Sequence, residues 1–170
     1  KPCNVDVFFA LSHGVHRGVL KSGKIDDRII FLKRLSERTP DVKFDLYGIN
    51  KIQPIWADHY FKTISNAKMG LNLSRGDAIK YYSSDRITQI IGNGLVTLID
   101  EKTFYRDFFN NNEMVFYSNL NDLAEKIQKI SKDEKLRKLI AKKGKDKYMK
   151  YFNSSIVAEY IINKTFDIKN

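Results

Sequence analysis

Two short apolar runs joined by one amphipathic segment most constrain how this chain can fold. The first run covers residues 69–73 and the second covers residues 95–99, and each has the length of a buried strand. Between them, Ile87 and Ile90 recur at helical spacing, and the glycine-containing segment 92–94 stops the helix. Strand, helix and strand in this order predict a right-handed βαβ crossover in a parallel sheet.

The segment between the first run and the helix is the first place to expect a ligand. Parallel sheets bind ligands where the carboxyl ends of their strands meet, and residues 74–86 directly follow the first strand. This segment is rich in hydroxyl groups and cations. We expect Ser83 or Ser84 to cap the helix, whose N-terminal amide groups would then suit a phosphate.

The rest of the chain alternates in the same way. Short apolar runs predict further strands at residues 5–11, 42–47 and 113–117, with helical segments between and after them. This alternation predicts one α/β domain over residues 1–170, a Rossmann-like and mostly parallel sheet flanked by helices, with extra helices at the C-terminus. The last of these helices is expected within residues 151–170.

Capping residues set the expected boundaries of several helices. The first long helix should begin at Asp26 or Asp27, because acidic residues favour helix N-termini. Ser131 and Glu134 have the spacing of a capping box in front of a later helix. Gly144 is expected as the residue that ends this later helix.

Composition limits the classes of partner. The 170 residues are 42% hydrophobic and 29% charged, which is typical of a folded globular chain. No apolar run is long enough to cross a membrane, and the single cysteine, Cys3, cannot form an internal disulfide bond. The net charge of +10 favours an anionic partner, such as nucleic acid, an anionic membrane or a phosphorylated small molecule. An ordinary lysine-rich surface would carry the same charge.

A glycine-containing loop follows the first predicted strand and supplies a second candidate anion site. Gly14 lets the backbone approach a ligand, and Arg17 adds a permanent charge whose fork matches phosphate. An ordinary connecting loop is the alternative. His13 and His16 could share a metal ion, but no carboxylate or cysteine accompanies them. Because the chain also lacks a D-x-D sequence, we expect no metal ion and no cofactor.

A nucleotide-dependent enzyme of the P-loop type is an alternative hypothesis. Residues 18–24 match the pattern G-x-x-x-x-G-K, and Asp100 and Glu101 follow an apolar strand as in many ATPases. However, Ile25 stands where serine or threonine must hold Mg²⁺. The first glycine also lies well beyond the end of the strand, whereas a P-loop turns directly out of it.

The densest polar cluster lies at the start of the central helix. Ser83 and Ser84 provide hydroxyl groups there, and Tyr81 or Tyr82 could stack on a base or a sugar. Arg86 and Gln89 are three residues apart and therefore share one helical face. A solvated helix start with a charged surface is the alternative interpretation.

These residues resemble a known signature. Residues 82–94, with the sequence YSSDRITQIIGNG, precede an apolar strand and resemble the donor-binding signature of GT-B glycosyltransferases. More narrowly, they resemble the bacterial glycosyltransferase family 1-like domains of the CgeB type, which carry the pattern R-x-x-E-x-x-x-x-G. Arg86, Gln89 and Gly94 stand at the three marked positions. Residues 113–152 resemble the end of the same domain, so the likeness covers nearly the whole chain.

The resemblance implies a domain that binds a nucleotide-sugar donor. The loop after the first strand would lie near the diphosphate, and the glycine that ends the second strand would lie near the base. The family usually has a glutamate for the ribose hydroxyl groups where this chain has a glutamine, which accepts a hydrogen bond but brings no charge. The implied donor-binding residues are Gly14, His16, Arg17, Gly48, Tyr81, Ser83, Ser84, Arg86 and Gln89.

The resemblance also implies an activity and a set of partners. The enzyme would transfer a sugar, without a metal ion, to a glycan, lipopolysaccharide or lipid-linked acceptor. It would work in the bacterial cytoplasm or at the inner face of the membrane. The chain begins with a lysine and shows no signal peptide. We expect it to be an excised piece that lacks the N-terminal acceptor domain and is inactive alone.

A basic binding module without enzymatic activity is a further alternative. Such a module would bind nucleic acid or a protein through its cations. Binding to nucleic acid favours a basic stripe interleaved with exposed aromatic residues. The aromatic residues here fall mostly in apolar runs, which predicts that they form the core. We therefore expect no nucleic-acid partner.

Overall fold

One sheet of five strands forms the centre of the computed structural model, which describes residues 3–11, 25–82 and 84–168. The strands are β1 (Val5–Ala10), β2 (Phe44–Tyr47), β3 (Ala67–Asn72), β4 (Val96–Asp100) and β5 (Val115–Tyr117). The helices are α1 (Asp27–Arg38), α2 (Ala57–Ile64), α3 (Arg86–Gly92), α4 (Leu120–Lys132), α5 (Glu134–Tyr151) and α6 (Ser154–Thr165), with 3₁₀ turns at Glu101–Thr103 and Tyr105–Asp107. All neighbouring strands are parallel, so the predicted α/β fold is confirmed.

The strand order β2-β1-β3-β4-β5 creates a switch point between β1 and β3. From β1 the chain continues to β2 on one side, whereas β3, β4 and β5 follow on the other side. The predicted crossover is present, because β3 and β4 pair directly and α3 connects them. Parallel sheets bind ligands at such a point, since the connections leave the carboxyl ends of the two strands in opposite directions.

Helices cover both faces of the sheet, and successive strand residues contribute to opposite faces. Val7 is buried in one cluster with Leu32 of α1 and Ile127 of α4. Phe8, the next residue, is buried in a second cluster with Ile90 of α3. The sheet is therefore shielded on both sides, and its open region lies at the carboxyl ends of the strands.

Polar side chains cap the helices that begin at exposed loops. Asp26 caps α1, because its Oδ1 atom accepts a hydrogen bond from the backbone N–H of Arg28 at 3.0 Å. Asn119 and Asn153 cap α4 and α6 in the same way. The expected start of α1 at the acidic pair is confirmed.

The capping box predicted at Ser131 and Glu134 is wrong. Ser131 lies inside α4, where its hydroxyl group donates to the carbonyl oxygen of Gln128. Asp133 caps α5 instead, and its side chain accepts from the N–H of Leu136 at 2.9 Å. The aspartate between the two helices therefore performs the role that the sequence pattern suggested for the serine.

Gly144 does not end α5, contrary to the prediction. The helix continues to Tyr151, and Gly144 is buried against the backbone of Glu113, just before β5. A Cβ atom at position 144 would lie 2.2 Å from the carbonyl oxygen of Glu113. The glycine is thus needed for a close approach between the helix and the sheet, and not for a turn.

The aromatic residues of the predicted strands lie in or against the core, as predicted: Phe8, Phe9, Phe44, Tyr47, Phe116 and Tyr117. Many aromatic side chains outside the strands are exposed. The exposed aromatic residues are Trp56, Phe61, Tyr81, Tyr82, Phe104, Phe108, Tyr151, Tyr160 and Phe166. The helix α6 contains no buried residue, although five of its twelve side chains are apolar or aromatic and exposed. No helix in the described part of the chain is long and apolar enough to span a membrane.

The contact at Gly144 predicts an unusual response to a glycine-to-alanine change. Inside a helix this change normally stabilises by up to about 1 kcal/mol. Gly144→Ala should instead destabilise by roughly 1–3 kcal/mol, because the new methyl group meets backbone that cannot move aside easily. Gly92→Ala is the matched control, since only the Cε atom of Met149 lies near its added Cβ, at 3.8 Å. Urea unfolding measures both, and equal effects would contradict the packing described here.

The ion pair beside this contact predicts a dependence of stability on pH. Burial opposes ionisation of Glu113, but the N–H of Asn110 and the ammonium group of Lys147 outweigh it, so the pKa of Glu113 is lowered. A carboxylate whose pKa is lowered by folding stabilises the folded state at any pH above its pKa in the unfolded chain, which is about 4.3 for glutamate. This stabilisation disappears as the pH falls through the pKa of the folded state. Between pH 6 and pH 3, Glu113→Gln should therefore lose less unfolding free energy than the wild type.

The exposed carboxylate of Glu125 on α4 provides the control for this experiment. Glu125→Gln should show the same pH profile as the wild type. If Glu113→Gln also shows the wild-type profile, the ion pair with Lys147 does not contribute to stability.

Candidate functional site

The guanidinium group of Arg86 connects the carboxyl ends of β1 and β3. Its Nε atom donates to the carbonyl oxygen of Ala10, at the end of β1, over 3.4 Å. Its Nη1 atom donates to the carbonyl oxygen of Leu73, just after β3, over 3.1 Å, and to the hydroxyl oxygen of Ser84 over 3.2 Å. Among the described residues no hydrogen bond engages Nη2, so this nitrogen can still bind a ligand.

Close helix packing and ring stacking place Arg86 at this position. Arg86 is the first residue of α3, and Gly70 lets this helix approach β3, because a Cβ atom at position 70 would lie 2.5 Å from Ile90. The guanidinium carbon lies 4.9 Å from the centre of the Phe9 ring. Burial, and secondarily the charge of Arg28, lowers the pKa of Arg86. A bound anion would relieve both unfavourable contributions.

A cavity of about 330 Å³ lies on one side of Arg86, and we call it the arginine cavity. Arg28, Arg75 and Arg86 contribute three cations to its wall. Ser74, Ser84 and Tyr82, which carry hydroxyl groups, also line it, and Leu11 completes the lining. Arginine side chains and hydroxyl groups are the donors that proteins use for phosphate.

Asp26 holds the cations of this cavity in position. Its two carboxylate oxygens accept hydrogen bonds from Nε and Nη2 of Arg28 at 2.9 and 2.7 Å, in a fork arrangement. Arg75 lies 3.7 Å from the same carboxylate. Asp26 is fully buried and Arg28 is 9% exposed, so this pair is shielded from solvent. One carboxylate therefore serves two cations, and the cluster with Arg86 keeps an excess of positive charge.

A second cavity, of about 250 Å³, lies on the other side of Arg86, and we call it the α2 cavity. Its apolar wall consists of Ile55 and three aromatic side chains, Trp56, Tyr60 and Phe61. Trp56 and Phe61 are more than half exposed, so their rings are accessible to a ligand. The polar wall is formed by Asp85, Arg86 and Gln89, and the lining is completed by Ala57 of α2 and by Ala10 and Leu11 at the end of β1.

Arg86 and Leu11 line both cavities, which are therefore adjacent. One compartment is aromatic and contains an amide side chain, and the other contains three cations. This arrangement fits a ligand with a planar ring at one end and a strongly anionic group beside it. A nucleoside diphosphate has this chemistry.

The structure brings together some of the residues predicted for the candidate site. Arg86 and Gln89 lie together, as their spacing on one helical face predicted. Gly48 is buried at the end of β2 with a φ of +75°, and a Cβ atom there would lie 2.1 Å from the carbonyl oxygen of Leu11. This close backbone contact requires the glycine, and Gly48 is not among the described lining residues of either cavity. Gly14, His16, Arg17 and Ser83 lie outside the described residues, as do residues 18–24 of the P-loop alternative.

The predicted cap at Ser84 is wrong, whereas the phosphate site at the start of α3 remains a prediction. The residue before α3 is Asp85, and it makes no capping bond through its side chain. The N–H of Ile87 donates to the carbonyl oxygen of Ser84, and the N–H groups of Thr88 and Gln89 donate to that of Asp85. A tight turn therefore satisfies these amides, and the hydroxyl group of Ser84 binds Arg86 instead.

Several residues of the site were missed in the sequence. Arg28 stands at the spacing of Leu32 and Leu35 on the buried face of α1, and a cation on an apolar stripe was a visible signal. Trp56 directly precedes α2 in an extended conformation, and Tyr60 lies in the first turn of this helix. Their meeting with Arg86 depends on the fold and has no local signature.

The paired carboxylates have structural roles. Asp26 caps α1 and binds Arg28, as described above. Asp100 ends β4, and its side chain accepts from the N–H of Lys102. Among the described residues, no three histidine, cysteine, aspartate or glutamate side chains form a cluster that could hold a metal ion.

Comparison with a protein-family model assigns the chain to a family. Residues 28–163 match the glycosyl transferase-like family, and this match covers most of the chain. The chain therefore belongs to the glycosyl transferase-like family. No curated protein matches the chain in sequence.

Solved structures show the same fold at low sequence identity. A TarM variant from S. aureus, in complex with fondaparinux, α-GlcNAc-glycerol and UDP, has a TM-score of 0.65 and 14% identity over 95% of this chain and 36% of its own. Sucrose-phosphate synthase from Thermosynechococcus elongatus has a TM-score of 0.64 and 13% identity over 99% of this chain and 47% of its own. The chain thus spans less than half the length of these proteins.

The fold is that of a C-terminal-type domain of GT-B glycosyltransferases. The resemblance to this class of domain, which the sequence around Arg86 and Gln89 suggested, is confirmed. The narrower CgeB type remains a prediction.

The buried carboxylate predicts a measurable loss of stability. Asp26→Asn keeps an oxygen that can cap α1 but removes the charge that balances Arg28. We expect a loss of about 3 kcal/mol in unfolding free energy, because a buried cation is left without its counter-charge. Asp122→Asn is the control, since its partner Lys126 is partly exposed and such pairs contribute at most about 1 kcal/mol. Equal losses in urea unfolding would contradict the role assigned to Asp26.

Proposed function

We propose that this chain is the donor-binding domain of a glycosyltransferase, and that its ligand is a nucleotide-sugar. The observation that carries the proposal is the position of Arg86, which joins an aromatic cavity and a cationic cavity at the switch point of the sheet. Membership of the glycosyl transferase-like family supports it. The structure of TarM with UDP, a nucleoside diphosphate, supports it further.

In the proposed complex each part of the donor has its own compartment. The diphosphate lies in the arginine cavity, where Arg28, Arg75 and Arg86 neutralise its charge. The base lies in the α2 cavity against the exposed ring of Trp56. Gln89 lines the same cavity and accepts a hydrogen bond from a ribose hydroxyl group. The loop with Gly14, His16 and Arg17 and the hydroxyl group of Ser83 remain predicted contributors to phosphate binding.

The proposed mechanism assigns the arginines to the leaving group. When the glycosyl bond breaks, negative charge develops on the departing nucleoside diphosphate. Positioned donors that face this charge lower the barrier, and they need no rearrangement because Asp26 and Phe9 already hold them. This supports the prediction that transfer proceeds without a metal ion. The catalytic base is not assigned.

The other partners are proposed from the same family. The acceptor is a glycan, a lipopolysaccharide or a lipid-linked saccharide of a bacterial cell surface, and the enzyme works in the cytoplasm or at the inner face of the membrane. A second, N-terminal domain provides most of the acceptor site. The exposed apolar surface of α6 is a suitable place for such a domain to pack, because burying it would remove several large side chains from water.

Calorimetry with UDP, GDP, ADP and ATP, each with and without Mg²⁺, tests the proposal. We expect one nucleoside diphosphate to bind without Mg²⁺. Arg86→Ala should weaken the affinity for this ligand at least about tenfold, because the variant loses charge-assisted hydrogen bonds. Arg106→Ala is the matched control, because Arg106 also stacks on a ring, 4.5 Å from the centre of Phe116, but lies away from both cavities. Arg86→Lys shows whether the fold tolerates change at this position.

Two outcomes of this titration would overturn the proposal. One is binding of ATP only with Mg²⁺, unchanged in Arg86→Ala and lost in Lys24→Ala, which would favour the P-loop alternative. The other is an equal loss in Arg86→Ala and Arg106→Ala, which would indicate attraction by net charge alone.

The glutamine at position 89 allows a second, more specific test. Gln89→Glu restores the charge that the family pattern carries, and a carboxylate binds hydroxyl groups more strongly than an amide oxygen does. We expect Gln89→Glu to tighten nucleoside diphosphate binding two- to tenfold and Gln89→Ala to weaken it. If the affinity for an inorganic diphosphate changes equally, Gln89 does not contact the ribose.

A further inference from the structure

Exposed aromatic rings form a platform beside the arginine cavity that neither cavity uses. We call Lys80, Tyr81, Phe104 and Phe108 the aromatic platform. The rings of Tyr81, Phe104 and Phe108 are 46%, 48% and 39% exposed. Tyr81 and Phe108 have centres 5.2 Å apart, and the ammonium group of Lys80 lies over both Tyr81 and Phe104, at 4.8 and 5.2 Å.

Unusual backbone conformations hold these rings at the surface. Tyr81 and Phe104 both have a φ of +59°, a left-handed conformation that large side chains rarely adopt. The N–H of Tyr81 donates to the carbonyl oxygen of Thr103 at 2.8 Å, which joins the two strained segments. The hydroxyl group of Tyr81 donates to Asp107 at 2.6 Å. Such strain costs roughly 1–3 kcal/mol for each residue and persists mainly where a function needs it.

The platform is continuous with the arginine cavity. Tyr82, which follows Tyr81, lines the arginine cavity, and it also lines a small neighbouring cavity together with Ile79 and Thr103. The α2 cavity is lined at the end of β1, by Ala10 and Leu11, whereas the arginine cavity also reaches Ser74 and Arg75 after β3. Phe104 of the platform follows β4, so the strand order β1-β3-β4 gives the order of the α2 cavity, the arginine cavity and the platform along this edge.

We infer that the aromatic platform binds the acceptor glycan, with a pyranose ring stacked on the exposed rings. The inference rests on the proposed function. With the base in the α2 cavity and the diphosphate in the arginine cavity, the donor sugar lies at the end of the diphosphate that is nearer to the platform. A glycan on the platform would then lie next to the reacting carbon.

The chemistry of the surface favours a saccharide. The C–H groups on one face of a pyranose ring carry a small positive charge and pack on the negative face of an aromatic ring. The rings lie outside the cavities and are open to solvent, so they can support a chain of several sugars. A donor sugar, which is a single unit attached to the diphosphate, would be held inside the neighbouring cavities.

Lys80 adds a preference for acidic saccharides. Its ammonium group carries a full charge over the rings of Tyr81 and Phe104, and no ion pair with a described carboxylate engages it. A carboxylate or phosphate on the glycan would meet this charge. We therefore expect an acidic oligosaccharide to bind more tightly than a neutral one of equal length.

Nuclear magnetic resonance titrations of the 170-residue chain test the inference. The probes are maltohexaose, as a neutral oligosaccharide, and a hexamer of galacturonic acid, as an acidic one. We expect millimolar or tighter binding of both, with the acidic probe favoured, and a loss of about tenfold or more in Phe104→Asn. Asparagine tolerates the left-handed conformation, so this variant removes the ring without straining the fold. Phe104→Tyr keeps the ring and should bind as the wild type does.

Tyr160→Ala is the matched control. Tyr160 on α6 is an exposed tyrosine with a lysine, Lys164, 5.9 Å from its ring, so it presents the same chemistry far along the chain. This variant should bind both probes normally. Lys80→Ala should remove only the preference for the acidic probe.

Four results would overturn the inference, and three of them concern the two oligosaccharide probes. They are no binding of either probe to the wild type, equal binding by the wild type and Phe104→Asn, and equal losses in Phe104→Asn and Tyr160→Ala. The fourth result is that Phe104→Asn weakens binding of the nucleotide-sugar but not of the corresponding nucleoside diphosphate. This result would assign the platform to the donor sugar. Nucleoside diphosphate binding that depends on Arg86 would survive all four results, so the proposed function is tested separately.

Discussion

The bridge that Arg86 makes between Ala10 and Leu73 is the contact on which the candidate site depends. Strand order places the ends of β1 and β3 side by side, and their last carbonyl groups would otherwise point into an open crevice. The guanidinium group binds both carbonyl oxygens and still has a terminal nitrogen without a described partner. A single side chain thus closes the crevice and divides it into an aromatic and a cationic compartment.

Three arginines close together are unfavourable unless their charge is balanced. Asp26 balances part of it through its fork with Arg28 and its proximity to Arg75. Burial lowers the pKa of Arg86, and the positive charge of Arg28 lowers it further. Such a cluster beside a cavity suits an anionic ligand, because a bound anion would reduce the repulsion between the arginine side chains.

Local sequence patterns predicted the elements and their order well. The crossover of β3, α3 and β4, the parallel sheet and the placement of Arg86 and Gln89 on one face follow from spacing alone. Their meaning for ligand binding follows from the rule that parallel sheets bind at the carboxyl ends of their strands.

Contacts between distant residues could not be predicted from the sequence. Gly144 looked like the end of a helix, but its role depends on the backbone of Glu113, and local sequence does not distinguish a turn from a close approach. Tyr81 and Phe104 both adopt left-handed conformations, and the contact of Tyr81 with Phe108 joins residues that are distant in the sequence. The α2 cavity likewise requires Trp56 and Arg86 to meet across the fold.

A crystal structure of the chain with the nucleoside diphosphate that binds best would show whether the donor lies at Arg86. We expect the phosphates to contact Nη2 of Arg86 and the side chains of Arg28 or Arg75, with the base in the α2 cavity. Phosphates bound instead by the lysines of α4 and α5, with Arg86 and both cavities empty, would contradict this expectation.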